Sequence, residues 1–232
     1  MAKSPKDGTW LALESNPDTL SSFVKRLGIK NAAITDVYGF DESLVEFIPR
    51  PHHALIICLP DYKLCSEILS EKYNKLIEEG KDGYPENQIF FMQQRISNAC
   101  GTFALFHALA NSPLIDKGTG SFAKWLEEAK QLPMNERSTS LFKDQAISKA
   151  HEECAKEGET DVLEENQVEH HFISYVNVNG ILYEFDSTQC FPRNCGETSE
   201  ETFIVDAGKE LKPLIDKLNN ISFSAMALIN EY

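Results

Sequence analysis

His171-Phe172-Ile173-Ser174-Tyr175-Val176-Asn177-Val178, then Asn179-Gly180, then Ile181-Leu182-Tyr183-Glu184-Phe185-Asp186 is the stretch on which the fold turns. Two runs rich in β-branched and aromatic residues flank an Asn-Gly pair, the pattern of a hairpin closed by a two-residue type I′ turn. So short a loop fixes the register. With Val178 opposite Ile181, counting back along both strands sets Ile173 opposite Asp186. His171 lies two residues from Ile173 and shares its face, so His171 and Asp186 become diagonal neighbours. Diagonal Cβ atoms in such a ribbon lie roughly 7 Å apart, within reach of a hydrogen bond between these side chains. A carboxylate placed there fixes the imidazole tautomer and stabilises the imidazolium. The other face carries Phe172, Val176, Val178, Ile181, Tyr183 and Phe185, an apolar side for a core. An isolated His–Asp pair is more often structural than chemical, and it acquires a chemical meaning only beside a nucleophile.

A nucleophile is available upstream. Gln94-Arg95-Ile96-Ser97-Asn98-Ala99-Cys100-Gly101-Thr102 leads into the apolar run Phe103-Ala104-Leu105-Phe106-His107-Ala108-Leu109-Ala110, which reads as a buried helix. Cys100 then stands at the helix N-terminus, facing unsatisfied backbone N–H groups and the positive end of the helix dipole. Both favour the thiolate, the reactive form of cysteine. Gln94, six residues earlier, supplies an amide able to donate a hydrogen bond to a developing oxyanion. A cysteine at a helix start, a histidine on a strand and an orienting aspartate are the parts of a thiol-based acyl-transfer site. The remaining candidates carry less. His107 sits inside the apolar helix and reads as a satisfied core residue. His170 reads as a loop or strand-edge residue, and Cys58 as a small buried hydrophobe. His52-His53 and the pair Cys190/Cys195 form a poor zinc signature, so no metal and no other cofactor is expected.

The rest of the chain interleaves helices and strands. Asn16-Pro17-Asp18 followed by Leu20, Phe23, Val24 and Leu27 has helical spacing, with Gly28 as a stop. Ala33 to Tyr38 reads as a strand, Ser43 to Ile48 as a short helix, and Ala54 to Leu59 as a strand buried on both faces. Helices are expected over Ser66 to Glu79, near Gly120 to Gln131, and through Pro133 to Lys156. Thr198-Ser199-Glu200-Glu201 has the form of a capping box before a C-terminal helix, and Ile221 to Ile229 closes the chain as a strand. Glu157 to Glu169 holds six acidic residues and no Lys or Arg, and reads as a mobile surface loop. The class is α/β (α+β) with a central sheet, in one domain over residues 1–232 with no internal repeat or linker.

Bulk properties narrow the function. A hydrophobic fraction of 42% and a charged fraction of 25% belong to an ordinary globular chain. No stretch approaches the ~20 apolar residues that span a bilayer, and the N-terminus lacks a secretory core. The six scattered cysteines read as reduced thiols, pointing to the cytoplasm, and also the nucleus. The net charge of −14 argues against nucleic acid and anionic membrane and favours a basic partner. A monomer is expected, since no heptad or long exposed apolar stripe is evident.

QRISNACGT around Cys100, His171-Phe172-Ile173 and Tyr183-Glu184-Phe185-Asp186 strongly resemble the short, single-domain ubiquitin carboxy-terminal hydrolases. The likeness extends over nearly the whole chain, from Trp10 to Pro17 through Asp36-Val37-Tyr38-Gly39 and Ile48-Pro49-Arg50-Pro51 to Phe223-Ser224-Ala225-Met226-Ala227-Leu228. It implies a papain-like cysteine hydrolase with a central antiparallel sheet flanked by helices, a knotted backbone, and an active-site crossover loop formed by Glu157 to Glu169. By this resemblance Gln94 is the oxyanion donor, Cys100 the nucleophile, His171 the general base and acid, and Asp186 the orienting carboxylate. Leu13, Glu14, Asp18 and Asp36 are the implied ubiquitin contacts. The implied activity is release of small adducts or short peptide tails from the C-terminal glycine of ubiquitin. Two alternatives stay open: a non-catalytic ubiquitin-binding module, and a hydrolase acting mainly on a ubiquitin-like modifier. One departure stands out. The family usually has Gly after the aspartate, often followed by a basic residue, whereas Ser187-Thr188 follows Asp186 here. Serine resists backbone angles open to glycine, so the chain path just past Asp186 is expected to differ.

Overall fold

The computed structural model describes residues 7–158, 169–220 and 222–231. In chain order the elements are β1 (Gly8–Thr9), α1 (Pro17–Arg26), β2 (Ala33–Asp36), α2 (Glu42–Val45), β3 (His52–Leu59), α3 (Tyr62–Glu78), β4 (Ile96–Ser97) and α4 (Cys100–Asn111). There follow α5 (Ser121–Ala129), α6 (Met134–Lys143), α7 (Gln145–Glu157), β5 (His171–Val178), β6 (Ile181–Phe185), β7 (Arg193–Glu197), α8 (Phe203–Leu218) and β8 (Ser224–Ile229). Most of the acidic stretch expected to cross the active site, residues 159–168, lies outside the described residues.

The sheet has six strands in the order β2-β8-β3-β5-β6-β7, every neighbouring pair antiparallel. The hairpin register is as read from the sequence: Val178 pairs with Ile181 and Ser174 with Phe185. Asn179 (φ 54°) and Gly180 (φ 82°) both take the left-handed conformation that a type I′ turn requires. β3 and β5 lie at the centre. Their alternate residues feed two cores, one on each side of the sheet. Ala54, Ile56, Phe172, Val176, Tyr183 and Phe185 meet α1, α4, α5, α6 and α7. Leu55, Ile57, Leu59, Ile173, Tyr175 and Leu182 meet α2, α3 and α8. A strand covered on both faces needs the unbroken apolar run of Ala54 to Leu59. The α4 helix is apolar all round because it lies inside the larger core, against β5 and β3.

Local chemistry sets the helix ends. Asn16 caps α1, its side chain accepting from Asp18 N and Thr19 N, with Pro17 at the first helical position. The α3 helix begins at Tyr62, four residues before the expected start, because Asp61 caps it by accepting from Leu64 N. Thr198 to Glu201 do not cap α8. Ser199 instead hydrogen-bonds with Thr202, and Thr202 occupies the N-cap position without a side-chain cap bond. Two short elements escaped the sequence reading: β7 at the sheet edge, and the parallel pair β1–β4, which ties the N-terminal segment to the loop before Cys100.

Candidate active site

Cys100 opens α4. Asn98 turns the chain into the helix through a left-handed conformation (φ 60°), which asparagine tolerates better than bulkier residues. Among the described residues no side chain caps this helix, so its first N–H groups are not taken up by a capping oxygen there. The helix start is wedged tightly into the fold. A Cβ on Gly101 would stand 3.3 Å from the Leu13 side chain and 3.6 Å from the Phe172 ring. Cys100 keeps 8% exposure, a partial opening to solvent in an otherwise buried helix.

His171 begins β5 and is wholly buried. Its Nε2 lies 2.8 Å from Asp186 Oδ1, the bond expected from the hairpin register. The aspartate puts the proton on Nε2 and leaves Nδ1 for the sulfur. The Cys100 thiol acts on the ring both as a hydrogen-bonding neighbour and through charge. Among the described residues Nδ1 has no partner in full hydrogen-bonding geometry, and catalytic hydrogen bonds are often long or poorly aligned before substrate binds. Burial alone lowers the His171 pKa, but the Asp186 charge and hydrogen bond outweigh it, Cys100 adds to them, and the ring is held above its ordinary value. For Asp186 burial raises the pKa, while His171 and two donors from Thr188 more than reverse this and hold the carboxyl low.

Three residues after the aspartate complete its surroundings. Thr188 donates to Oδ1 through its backbone N–H (2.9 Å) and its hydroxyl (2.8 Å), and Gln189 Nε2 lies 3.3 Å from Oδ2. The Ser187 hydroxyl donates to Gln94 Oε1 (2.8 Å), and its carbonyl accepts from Gln94 N (2.7 Å). Ser187 is not among the described residues with left-handed backbone, so the residue in place of glycine needs no glycine-type conformation, and Asp186 reaches His171. Gln94 Nε2 donates to Ile96 O (2.7 Å). Trp10 N donates to Ser97 O (3.0 Å), so the N-terminal segment braces the same loop. Tyr62 stands edge-on to the His171 ring at 5.5 Å, and its N–H donates to Glu169 O at 2.7 Å. Sequence reading marked Ser187 and Thr188 only as a departure from a pattern, without these partners, and missed Gln189 and Tyr62. The polar triplet after an aspartate was a usable signal, since aspartate often accepts from the backbone two residues on.

The structure therefore brings Cys100, His171 and Asp186 together, with Gln94 joined to the segment that follows the aspartate. It distributes the other expected residues differently. Leu13 is 5% exposed and packs in the core against Gly101, offering little surface to a partner. Glu14 lies beside Gly158, Asp18 is exposed in the first turn of α1, and Asp36 ends β2 opposite Met226. His107 accepts from Met92 N through Nε2 and stacks on Phe91, while its Nδ1 has no partner, so its burial is only half satisfied. His170 is exposed, before the strand. Cys58 is buried, which pushes its thiol up to about 12. Among the described residues no three His, Cys, Asp or Glu side chains gather as a metal site.

A cysteine at a helix start beside an imidazole bonded to a buried carboxylate is the arrangement a thiol hydrolase needs. Comparison with known proteins agrees. Residues 10–216 match the model of ubiquitin carboxyl-terminal hydrolase, family 1. A Drosophila melanogaster ubiquitin carboxyl-terminal hydrolase is 39% identical over 222 residues, covering 95% of this chain and 97% of its own. The human isozyme L1 is 35% identical over 225 residues, 93% of this chain and 96% of its own. The catalytic domain of Trichinella spiralis UCH37, solved bound to ubiquitin vinyl methyl ester, superposes with a TM-score of 0.75 at 22% identity, with 97% of each chain covered, a likeness of fold. The chain belongs to the ubiquitin carboxyl-terminal hydrolase family.

Proposed function

We propose that Cys100, His171, Asp186 and Gln94 carry out the reaction of this deubiquitinating thiol hydrolase, cleavage after the C-terminal glycine of ubiquitin. The Cys100 sulfur, its proton passed to His171, attacks the glycine carbonyl carbon. The resulting oxyanion accepts from Gln94 Nε2 and the Cys100 backbone N–H, donors worth about 3 kcal/mol each in such sites. As the tetrahedral carbon collapses, His171 protonates the departing amine or thiol. Water then adds to the thioester, giving its proton to His171, and the sulfur leaves with the carboxylate formed. The observation that carries this reading is the buried His171–Asp186 bond at 2.8 Å, on a ring whose pKa the Cys100 sulfur helps to raise.

The protein's charge of −14 suits a basic partner surface, and Glu14, Asp18 and Asp36 are the acidic contacts we assign to ubiquitin. We place the enzyme in the cytoplasm, where six free thiols stay reduced. Replacing Cys100 with Ala is expected to abolish hydrolysis of a fluorogenic ubiquitin amide while ubiquitin still binds. Retained turnover in Cys100→Ala would remove Cys100 as the nucleophile. Wild-type turnover at background on ubiquitin, but not on a ubiquitin-like substrate, would reassign the modifier.

A further inference from the structure

We infer that Ser187 is a positioning residue for the oxyanion donor, holding the Gln94 carboxamide so that one Nε2 proton faces the developing charge. The inference rests on the role given to Gln94 above.

A primary amide is nearly symmetric in shape and opposite in polarity at its two ends. Turned the wrong way, Gln94 would present a carbonyl oxygen to an oxyanion and repel it. Two contacts act against that. Ile96 O accepts from Nε2 at 2.7 Å, and a flipped amide would set two carbonyl oxygens against each other at that distance. The Ser187 hydroxyl donates to Oε1 at 2.8 Å, meeting the other end of the amide. An amide whose oxygen accepts a hydrogen bond is polarised, and its N–H becomes the stronger donor. Nε2 has two protons and Ile96 takes one, so one remains. Ser187 is 1% exposed, so its hydroxyl does not exchange freely with water. Its carbonyl also fixes the Gln94 backbone at 2.7 Å. Asp186 and Ser187 are consecutive residues. One turn of chain therefore orients the imidazole through the first and the oxyanion donor through the second.

The test compares Ser187→Ala, Ser187→Thr, Gln94→Ala and the double variant Ser187→Ala/Gln94→Ala. Two readouts are needed: kinetics on a fluorogenic ubiquitin amide, and alkylation of Cys100 by iodoacetamide followed by peptide mapping. Alkylation displaces iodide at a saturated carbon and builds no oxyanion. Losing one neutral hydrogen bond to the donor should lower kcat about fivefold in Ser187→Ala, with KM and the Cys100 alkylation rate unchanged. Ser187→Thr keeps the hydroxyl and should restore kcat. In the Gln94→Ala background, itself slowed about 10²-fold or more, Ser187→Ala should cost nothing further. If Ser187→Ala slows alkylation as much as hydrolysis, or keeps its full penalty without Gln94, it acts through the sulfur and imidazole and the inference is wrong. Gln94→Ala slow with Ser187→Ala at wild-type kcat overturns the inference alone. Gln94→Ala at wild-type kcat overturns it together with the role of Gln94, and leaves the assignment of Cys100, His171 and Asp186 standing.

Discussion

Two buried polar clusters sit two residues apart on the hairpin, and they are built to opposite ends. At Glu184 the cluster is closed. The carboxylate, 1% exposed, accepts from Tyr73 Oη (3.2 Å), Tyr175 Oη (2.6 Å), Arg193 Nε (3.0 Å) and Arg193 Nη2 (2.8 Å). Arg193 Nη1 continues to Glu210 at 2.8 Å. Burial favours the protonated acid, yet the Arg193 charge and hydrogen bonds outweigh it and hold Glu184 low. At Asp186 the cluster is open. The aspartate is as fully engaged as Glu184, but the imidazole it orients ends in an Nδ1 without a proper partner among the described residues, and the Cys100 sulfur acts on that ring. A closed cluster joins strands and helix. An open one holds a reactive group in an unfinished contact for a substrate to complete.

The contrast predicts that the two carboxylates fail differently. Asp186→Asn should lower kcat by about 10³–10⁴, because the amide neither stabilises the imidazolium nor enforces its tautomer. The variant should stay folded, with near-wild-type far-UV circular dichroism and a modest fall in melting temperature. Asp186→Asn turning over at a tenth of the wild-type rate would mean that His171 is oriented by something else.

Glu184→Gln should do the reverse. It leaves the Arg193 guanidinium, a 5% exposed residue, facing a neutral amide in the interior. Removing one partner of a buried ion pair costs about 3–5 kcal/mol, to be read as a lower urea midpoint. Turnover per folded molecule should hold. A large kcat loss at full folding would break the distinction between closed and open clusters.

Buried histidines sharpen the comparison through pH. The His151 ring accepts the Thr102 hydroxyl at Nδ1 (2.8 Å), which ties α7 to α4, and donates to Leu11 O from Nε2 (2.9 Å). Burial holds it down to about 4, and His107 to about 3. Both therefore stay neutral when folded at pH 5, while the unfolded chain, titrating near 6.5, takes up protons. The unfolded state binds more protons, so stability rises with pH across this window and falls as pH drops below it. Each ring should remove about 2 kcal/mol between pH 7 and pH 5. His171 has the opposite sign. Its raised pKa contributes stability that is intact below 6.5 and lost only as pH climbs through the folded value. Urea unfolding at both pH values checks this, and His151→Asn should reduce the acid-side loss by about the 2 kcal/mol of its own ring, whatever it does at pH 7.

Much of this site was legible because the chain writes it locally. Asn179-Gly180 fixes a register, and register alone brings His171 to Asp186. The apolar run after Cys100 marks a helix start. What stayed hidden depends on how layers meet. His171 shares strand parity with Ile173 and Tyr175, which face the α3 and α8 core, whereas Cys100 belongs to the opposite core. Periodicity places them on different sides of the sheet, yet His171 stands at the first residue of β5, where the Cys100 sulfur still acts on its ring. Ser187 and Thr188 were visible only as an exception to a pattern, and their hydroxyl partners lie on atoms that no spacing rule relates. Leu13, expected from the resemblance to touch a partner, also packs against the start of the helix that Cys100 opens, a contact that no spacing rule announces.

The smallest expected effect concerns how the open cluster is kept open on one side only. Tyr62 is 43% exposed, yet its ring stands at 77° to His171 with centroids 5.5 Å apart. An edge-to-face contact of this kind is worth about 0.5–1.5 kcal/mol beyond burial, enough to hold the imidazole plane but too little to support the fold. Tyr62→Phe keeps the contact and should keep kcat. Tyr62→Leu loses it and should slow turnover about two- to tenfold, with the ubiquitin KM and the urea midpoint nearly unchanged. Burial, followed by the charges of Cys100 and Asp186, raises the Tyr62 phenol pKa, so the hydroxyl stays protonated through the working range and adds no charge to the site. If Tyr62→Phe fell as far as Tyr62→Leu, the hydroxyl rather than the ring face would be the active element, and the His171 cluster would have a polar partner on the side where the described residues place an aromatic edge.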